Sequence, residues 1–318
     1  MSTKRSGRLV RYSGFAGLAL CALIGLLVIG AGIAFRTDPM PKDAVERRVA
    51  SRDGTSIAYE VTGSGPTLVL VSAALTDRSG NRRLAAELAK HFTVINYDRR
   101  GRGDSSDVQP WAVAREVEDL DALINASGGP VFLFGSSSAS ALALDAASQL
   151  GAKIRRLFVY EPPFIVDGTR PPVPHELCER VASLAAHGQK SAAVEAFFTD
   201  GMGIPSPAVM MMRVLMPGWS RMEGMARTIP YDLAMLSGTQ SGKPLPIKIW
   251  AHDTIPTMVA VGSRSEVFFH NGARALAAGL PQGAYRSLDG RDHSAVLFAP
   301  AALAEAAVAF FGPNQDLK

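Results

Sequence analysis

Residues 131–140 read VFLFGSSSAS, a short apolar run that ends in a glycine and a cluster of serines. The run Val131–Phe134 is typical of a strand buried on both faces of a sheet. The segment Ser137–Leu150 is rich in Ala and Leu and predicts a helix. A strand, a tight turn and a helix in direct succession indicate an α/β fold.

The rest of the chain repeats this alternation on both sides of the stretch. Further strands are predicted at Val45–Ser51, Ser56–Val61, Thr67–Ser72, Thr93–Tyr97, Arg156–Tyr160, Thr257–Val261 and Ala284–Leu288. Further helices are predicted at Arg83–Lys90, Trp111–Ile124, Asn271–Ala278 and Ala301–Phe311. Because strands alternate with helices, we expect a mostly parallel central sheet with helices on both faces.

Residues 165–251 break this alternation. Strand-like runs disappear and amphipathic helical pieces take their place, with methionines at 202, 210, 211, 212, 216, 222, 225 and 235. We therefore predict a core of residues 45–164 and 252–318 with a helical cap, residues 165–251, inserted between two strands. The methionines are interpreted either as the lining of an apolar substrate pocket or as filling of an irregular helical core.

The N-terminal region predicts a membrane anchor. Residues 15–35 read FAGLALCALIGLLVIGAGIAF, 21 residues without a charge, and about 20 apolar residues span a bilayer as a helix. Residues 1–14 form a basic tail and residues 36–44 a linker. Since basic residues remain in the cytoplasm, we expect a single-pass protein of the cytoplasmic membrane with its catalytic domain outside. A cleaved signal peptide is the alternative, with Gly32-Ile33-Ala34 as a poor cleavage site.

The charge balance gives no sign of a nucleic-acid partner. The net charge of +4 comes from Lys4, Arg5, Arg8 and Arg11, and the other 29 basic residues equal the 29 acidic ones. A neutral body lacks the basic patch that binds polyanions.

The sequence contains neither a His/Cys cluster nor a phosphate-binding glycine motif, so no metal and no organic cofactor is expected. The sequence does not indicate the oligomeric state of the protein.

Ser137 is the candidate nucleophile. A serine held on a sharp strand-to-helix turn needs small residues two positions away on either side, here Gly135 and Ala139. Ser137 would then project at the carboxyl edge of the sheet, where α/β folds bind their ligands. The alternative interpretation is a serine-rich helix cap.

Residues 98–105 read DRRGRGDS and resemble the DxRGxGxS loop of the α/β-hydrolase superfamily. The order of strands, serine turn, helical insertion and late histidine is also similar to that family over residues 45–312. The chain looks most like the capped bacterial members described only as alpha/beta fold hydrolases. The resemblance implies a fold and a hydrolytic reaction, but no particular substrate.

The resemblance implies a base and an acid beside Ser137. His293 follows the last predicted strand, where the family carries its base. The position that usually holds the acid is Ser265, which is a departure from the family pattern. Glu161, at the end of a strand, is the favoured acid, because some relatives such as haloalkane dehalogenases carry it there. Glu266, one residue out of frame, is the alternative.

The resemblance also implies an oxyanion hole made of two backbone N–H groups, those of Ser138 and Ala74. The resulting prediction is a serine esterase that acts on a small, apolar substrate through an acyl-enzyme. Two alternatives stay open. One is perhydrolase or C–C hydrolase chemistry at the same site, and the other is a non-catalytic binding protein of the same fold.

Overall fold

The computed structural model describes residues 39–250 and 254–312. Within them, eight strands form one sheet in the order β1-β2-β4-β3-β5-β6-β7-β8. The strands are β1 Val45–Ala50, β2 Ser56–Thr62, β3 Thr67–Val71, β4 Thr93–Tyr97, β5 Val131–Ser136, β6 Ile154–Tyr160, β7 Thr257–Gly262 and β8 Gly283–Leu288. β2 is antiparallel to β1 and β4, and the remaining neighbours are parallel. The predicted mostly parallel sheet is confirmed.

Eleven α-helices accompany the sheet in the same residues. They are α1 Arg82–Leu88, α2 Val113–Ser127, α3 Ala139–Leu150, α4 Leu177–Ala186, α5 Lys190–Ala196, α6 Ser206–Leu215, α7 Trp219–Gly224, α8 Ile229–Met235, α9 Val267–Gly279, α10 Ala295–Phe298 and α11 Pro300–Phe311. Helices α4 to α8 all lie between β6 and β7, and we call residues 165–250 the inserted segment.

Apolar packing explains the central strands. Both faces of β3 and β5 are buried, as their unbroken apolar runs predict. One cluster of side chains lies between the sheet and helices that include α2, α3 and α9. A second cluster, with α1 and α11, covers the opposite face. The inserted segment has its own apolar core, which Leu75 from the loop after β3 joins.

Helix ends differ from the prediction for local reasons. Helix α2 begins at Val113 rather than Trp111, because Ala112 has an extended backbone with φ −153° and ψ 156°. It continues to Ser127, three residues past the predicted end, where Gly128 adopts a left-handed conformation with φ 85°. Glycine adopts that conformation without a steric penalty and commonly terminates helices.

The predicted transmembrane helix is corrected. None of the helices in residues 39–250 and 254–312 has the length and apolar character needed to cross a bilayer. Residues 15–35, on which that prediction rested, lie outside the described residues, as do the basic tail 1–14 and residues 36–38 of the linker. The prediction depended on hydropathy and length alone, and no described helix supplies a span. The anchor and the single-pass location in the cytoplasmic membrane are therefore withdrawn.

Candidate active site

Ser137 occupies the tight turn between β5 and α3. Its φ of 52° lies in the left-handed region, which costs a non-glycine residue about 1–3 kcal/mol. Its N–H donates to the carbonyl of Tyr160 at 2.9 Å, so the neighbouring strand holds the turn. A Cβ on Gly135 would lie 2.8 Å from the Ala139 carbonyl oxygen. A glycine is thus sterically required at position 135.

His293 lies in the loop between β8 and α10. Its Nδ1 is 2.8 Å from Oε2 of Glu161, and its ring stacks on Phe269 with centroids 4.7 Å apart. The hydroxyl of Tyr160 donates to the carbonyl of the preceding residue, Asp292, at 2.7 Å. These contacts fix the loop and the ring. They leave Nε2 as the ring nitrogen without a hydrogen bond to the described residues.

Glu161 is completely buried at the end of β6, with a left-handed φ of 51°. Its Oε2 faces His293, while its Oε1 accepts hydrogen bonds from the Gly262 N–H at 2.7 Å and from the Ser265 hydroxyl. A buried carboxylate needs such partners, because desolvation of the unpaired charge would be very costly.

The structure therefore brings Glu161 and His293 together and assigns a supporting contact to Ser265. Glu266, the alternative acid, is exposed and has no hydrogen bond to His293 in the described residues. The departure from the family pattern at Ser265 now has a physical account. The serine at the usual acid position donates a hydrogen bond to Glu161, which lies at the end of the neighbouring strand.

Ser137 and His293 line the same two cavities, each of about 170 Å³. Phe197 and Met202 of the inserted segment line both. Within the described residues, the Ser137 hydroxyl makes no hydrogen bond, so the Ser137–His293 bond is not formed in this state. Catalytic hydrogen bonds are often long or absent before substrate binds.

The two cavities have different walls. The first, which we call the Arg170 pocket, is mainly apolar but also contains polar side chains; its lining includes Arg170, Ile204, Leu233, Leu236, Gln240, Glu266, Phe268 and Phe269. The second, which we call the Leu75 pocket, is lined by residues that include Ala73, Ala74, Leu75, Phe198, Met222, Val296 and Leu297. The two pockets meet at Ser137 and His293, which line both of them.

The Ala74 N–H, a predicted oxyanion donor, has a partner in this structure. It donates to the hydroxyl oxygen of Ser138 at 2.9 Å. That hydroxyl in turn donates to Oδ1 of Asp232 at 2.8 Å. The N–H of Ser138, the other predicted donor, has no acceptor in the described residues. It lies at the start of the 12-residue helix α3, where backbone N–H groups favour negative charge.

Sequence reasoning missed Asp232, a fully buried residue of α8. Its carboxylate pairs with Arg99, at 2.7 Å, and with Arg102. Burial raises the pKa of Asp232, but the charges of Arg102 and Arg99 outweigh it and leave the pKa below its ordinary value. The available signal was the arginine-rich loop at residues 98–105, since arginines beside an active site need buried acids as partners.

No metal site is apparent in residues 39–250 and 254–312, where no group of three or more His, Cys, Asp or Glu side chains is arranged to hold an ion. The polar groups of this site include the Ser137 hydroxyl on a strained turn, the imidazole of His293 and the carboxylate of Glu161. Together they are the groups required for nucleophilic attack with general-base assistance.

Comparison with known proteins supports the same fold. Residues 68–306 match the alpha/beta hydrolase family. A crystal structure of an alpha/beta hydrolase from Sphaerobacter thermophilus DSM 20745 is 46% identical, covers 83% of this chain and 100% of that chain, and superposes with a TM-score of 0.76. A thermophilic esterase from Thermogutta terrifontis shares the fold at 21% identity, with a TM-score of 0.62 over 84% of this chain and 98% of that chain.

Two curated relatives match over shorter stretches. The uncharacterized hydrolase YraK of Bacillus subtilis (strain 168) is 31% identical over 34% of this chain and 42% of its own length. Lipase LipV of Mycobacterium tuberculosis (strain ATCC 25618 / H37Rv) is 32% identical over 34% of this chain and 41% of its own length. The matched region thus spans about two fifths of these relatives. From the family match and the close structural relative, the chain belongs to the alpha/beta hydrolase family.

Proposed function

We propose that this protein is a serine hydrolase that cleaves an ester-like bond in a small, largely apolar molecule. The observation that carries the proposal is the pairing of His293 Nδ1 with the buried Glu161 carboxylate at 2.8 Å, beside the strained turn of Ser137. The pair fixes the imidazole so that Nε2 is the basic nitrogen, which is what a general base for a serine requires.

The reaction would proceed in two steps. Ser137 Oγ attacks the carbonyl carbon while His293 Nε2 takes its proton, and Glu161 stabilises the imidazolium. The proton then passes to the leaving oxygen, the ester C–O bond breaks and an acyl-enzyme remains. In the second step His293 takes a proton from water, the resulting hydroxide attacks, and the acid leaves as Ser137 recovers its proton.

The oxyanion of each tetrahedral intermediate would be held by the N–H groups of Ser138 and Ala74. Because the Ala74 N–H donates to the Ser138 hydroxyl in the free protein, the oxyanion must displace that hydroxyl. Ser138 keeps its own bond to Asp232, so the exchange costs one hydrogen bond and gains a stronger, charge-assisted one.

A fluorophosphonate probe tests the proposal on the full-length protein. Ser137 Oγ would form a P–O bond as fluoride leaves, so we expect the wild type to be labelled and Ser137→Ala to take no label. Ser140→Ala is the matched control, because Ser140 is a buried serine near the same turn whose hydroxyl has no partner in the described residues. An unlabelled wild type, or equal labelling of Ser137→Ala, would contradict the proposal.

A non-catalytic binding protein is the second candidate. The engagement of the Ala74 N–H by Ser138 favours it, since an oxyanion hole with only one open donor is a poor catalyst. The same labelling experiment distinguishes the two candidates. A binding protein would leave the probe unreacted while its pocket still took up apolar esters.

A further inference from the structure

Arg170 presents a cation to the cavity that contains Ser137 and His293. It lies on the connection between β6 and α4 and is half-buried. Its Nη2 donates to the Gly201 carbonyl at 2.9 Å, and its guanidinium carbon lies 4.6 Å from the centroid of the Phe268 ring. One hydrogen bond and one ring contact therefore fix the orientation of this side chain.

The half-buried Arg170 differs from the buried arginines in having no carboxylate partner within 4 Å in the described residues. Arg99, Arg100 and Arg102 are each in an ion pair with at least one buried or half-buried acid. A guanidinium carries five N–H donors in a rigid fork, and the Gly201 carbonyl uses only one of them. The remaining donors can bind an acceptor that the protein itself does not provide.

The opposing charge that acts on Arg170 is that of Glu266, which lines the same pocket but is exposed. Burial lowers the pKa of Arg170, and the charge of Glu266 opposes that effect. Arginine nevertheless remains protonated in proteins. The pocket thus offers one fixed positive charge among mainly apolar walls. The negative charge of Glu266 repels a ligand group with two negative charges more strongly than a group with one.

We propose that Arg170 binds a carboxylate of the substrate, so that the preferred substrates are esters whose acyl chain ends in a single carboxylate. A carboxylate matches the guanidinium fork with two parallel hydrogen bonds. The apolar side chains of the same pocket, including Leu233, Leu236 and Phe269, would contact the methylene groups of the chain. This inference rests on the proposed function, because it names the substrate class of the Ser137 site.

The test compares two families of 4-nitrophenyl esters. One consists of the monoesters of glutaric, adipic and pimelic acid, and the other of neutral counterparts in which an isopropyl group replaces the terminal carboxylate. The measured quantity is the ratio of kcat/KM for each charged ester to that of its neutral counterpart. We expect Arg170→Gln to lower this ratio about tenfold or more, as for loss of a charge-assisted bidentate contact. Arg170→Lys should retain part of it.

Two further variants sharpen the result. Glu266→Gln should raise the ratio, because it removes the repulsion of a carboxylate in the pocket. Arg213→Gln is the matched control, since Arg213 is an exposed arginine of the inserted segment that pairs with Glu195 and lines neither cavity. It should leave the ratio unchanged. A ratio that Arg170→Gln does not alter would overturn the inference.

Binding to the inactive Ser137→Ala protein separates this inference from the proposed function. Calorimetry with the intact adipate monoester should show binding that weakens about tenfold when Arg170→Gln is added. Equal binding by both proteins would overturn the inference even if esters are hydrolysed. Arg170-dependent binding with no hydrolysis and no fluorophosphonate label would instead contradict the proposed function and support the carboxylate site.

Discussion

Ser138 donates its hydroxyl to the Oδ1 of Asp232 at 2.8 Å, which joins the strand-to-helix turn of the core to helix α8 of the inserted segment. The hydroxyl oxygen of Ser138 also accepts a hydrogen bond from the Ala74 N–H. One hydroxyl thus links three separate parts of the chain, the loop after β3, the turn after β5 and an inserted helix. Loss of this hydroxyl leaves the part-buried Ala74 N–H and a buried carboxylate oxygen of Asp232 each with one partner fewer.

The first prediction concerns this hydroxyl. Ser138→Ala should lower the free energy of unfolding by about 1–3 kcal/mol, the usual cost of removing one partner from a polar group that is shielded from water. Ser140→Ala should not destabilise the protein, since the Ser140 hydroxyl is buried without a partner in the described residues. Urea unfolding of both variants measures the difference. Equal losses would show that the Ser138 bonds contribute nothing net.

The second prediction concerns the acid. Glu161→Gln should lower kcat for ester hydrolysis by about 10³–10⁴-fold, as in other triads in which an amide replaces the acid and the wrong histidine tautomer results. Ser265→Ala removes only one hydrogen bond from Glu161 and should cost about tenfold or less.

Glu266→Gln is the matched control for Glu161→Gln, because it neutralises an acid that has no hydrogen bond to His293 in the described part of the chain. On neutral esters its kcat should stay close to that of the wild type. If Glu161→Gln and Glu266→Gln reduced kcat equally, the assignment of Glu161 as the acid would fail.

The sequence was sufficient to predict the features that depend on local patterns. The apolar run before Gly135 and the small residues around Ser137 predict a strand, a turn and a helix, because burial and steric fit at that turn are local requirements. The same applies to the parallel sheet, since its strands are buried on both faces and therefore read as unbroken apolar runs.

Contacts between distant parts of the chain were not predictable in this way. The Ser265 hydroxyl bonds to Glu161 across 104 residues, and the Ser138 hydroxyl bonds to Asp232 across 94.

The methionines of the inserted segment also show what a sequence pattern cannot predict. Met202 and Met222 line the cavities, whereas Met210 is 67% exposed. Composition indicated the helical character of the segment, but which helix face meets the site depends on how the short helices pack.

The third prediction concerns pH. The pKa of Asp232 in the folded protein is lowered from its ordinary value of 3.8. At pH values between the folded-state pKa and 3.8, the unfolded chain therefore binds a proton at Asp232 that the folded protein does not. The stability from Asp232 is therefore complete above pH 3.8 and is lost as the pH falls through the folded-state pKa. Asp232→Asn should cost about 3–5 kcal/mol at neutral pH, because buried arginines lose an acid partner.

The difference in unfolding free energy between wild type and Asp232→Asn should therefore be constant above pH 3.8 and shrink below it. Asp98 and Asp119, whose pKa values burial raises, titrate in both proteins and cancel in the difference. Denaturant unfolding at a series of pH values measures it. A difference that widens on acidification would mean that the Asp232 carboxylate is not stabilised by the two arginines.

The last prediction concerns Gly262, which holds two parts of the site together. Its N–H donates to Glu161, and a Cβ there would lie 2.3 Å from the backbone carbonyl group of Arg291, two residues before His293. Gly262→Ala must push that backbone away, so kcat/KM on neutral esters should fall. The free energy of unfolding should drop by roughly 1–3 kcal/mol, as for other overpacked positions.

Gly129→Ala is the control, since a Cβ there meets no atom within 4 Å. It should change the free energy of unfolding by no more than about 0.5 kcal/mol. Wild-type activity and stability in Gly262→Ala would show that the loop carrying His293 can move without cost.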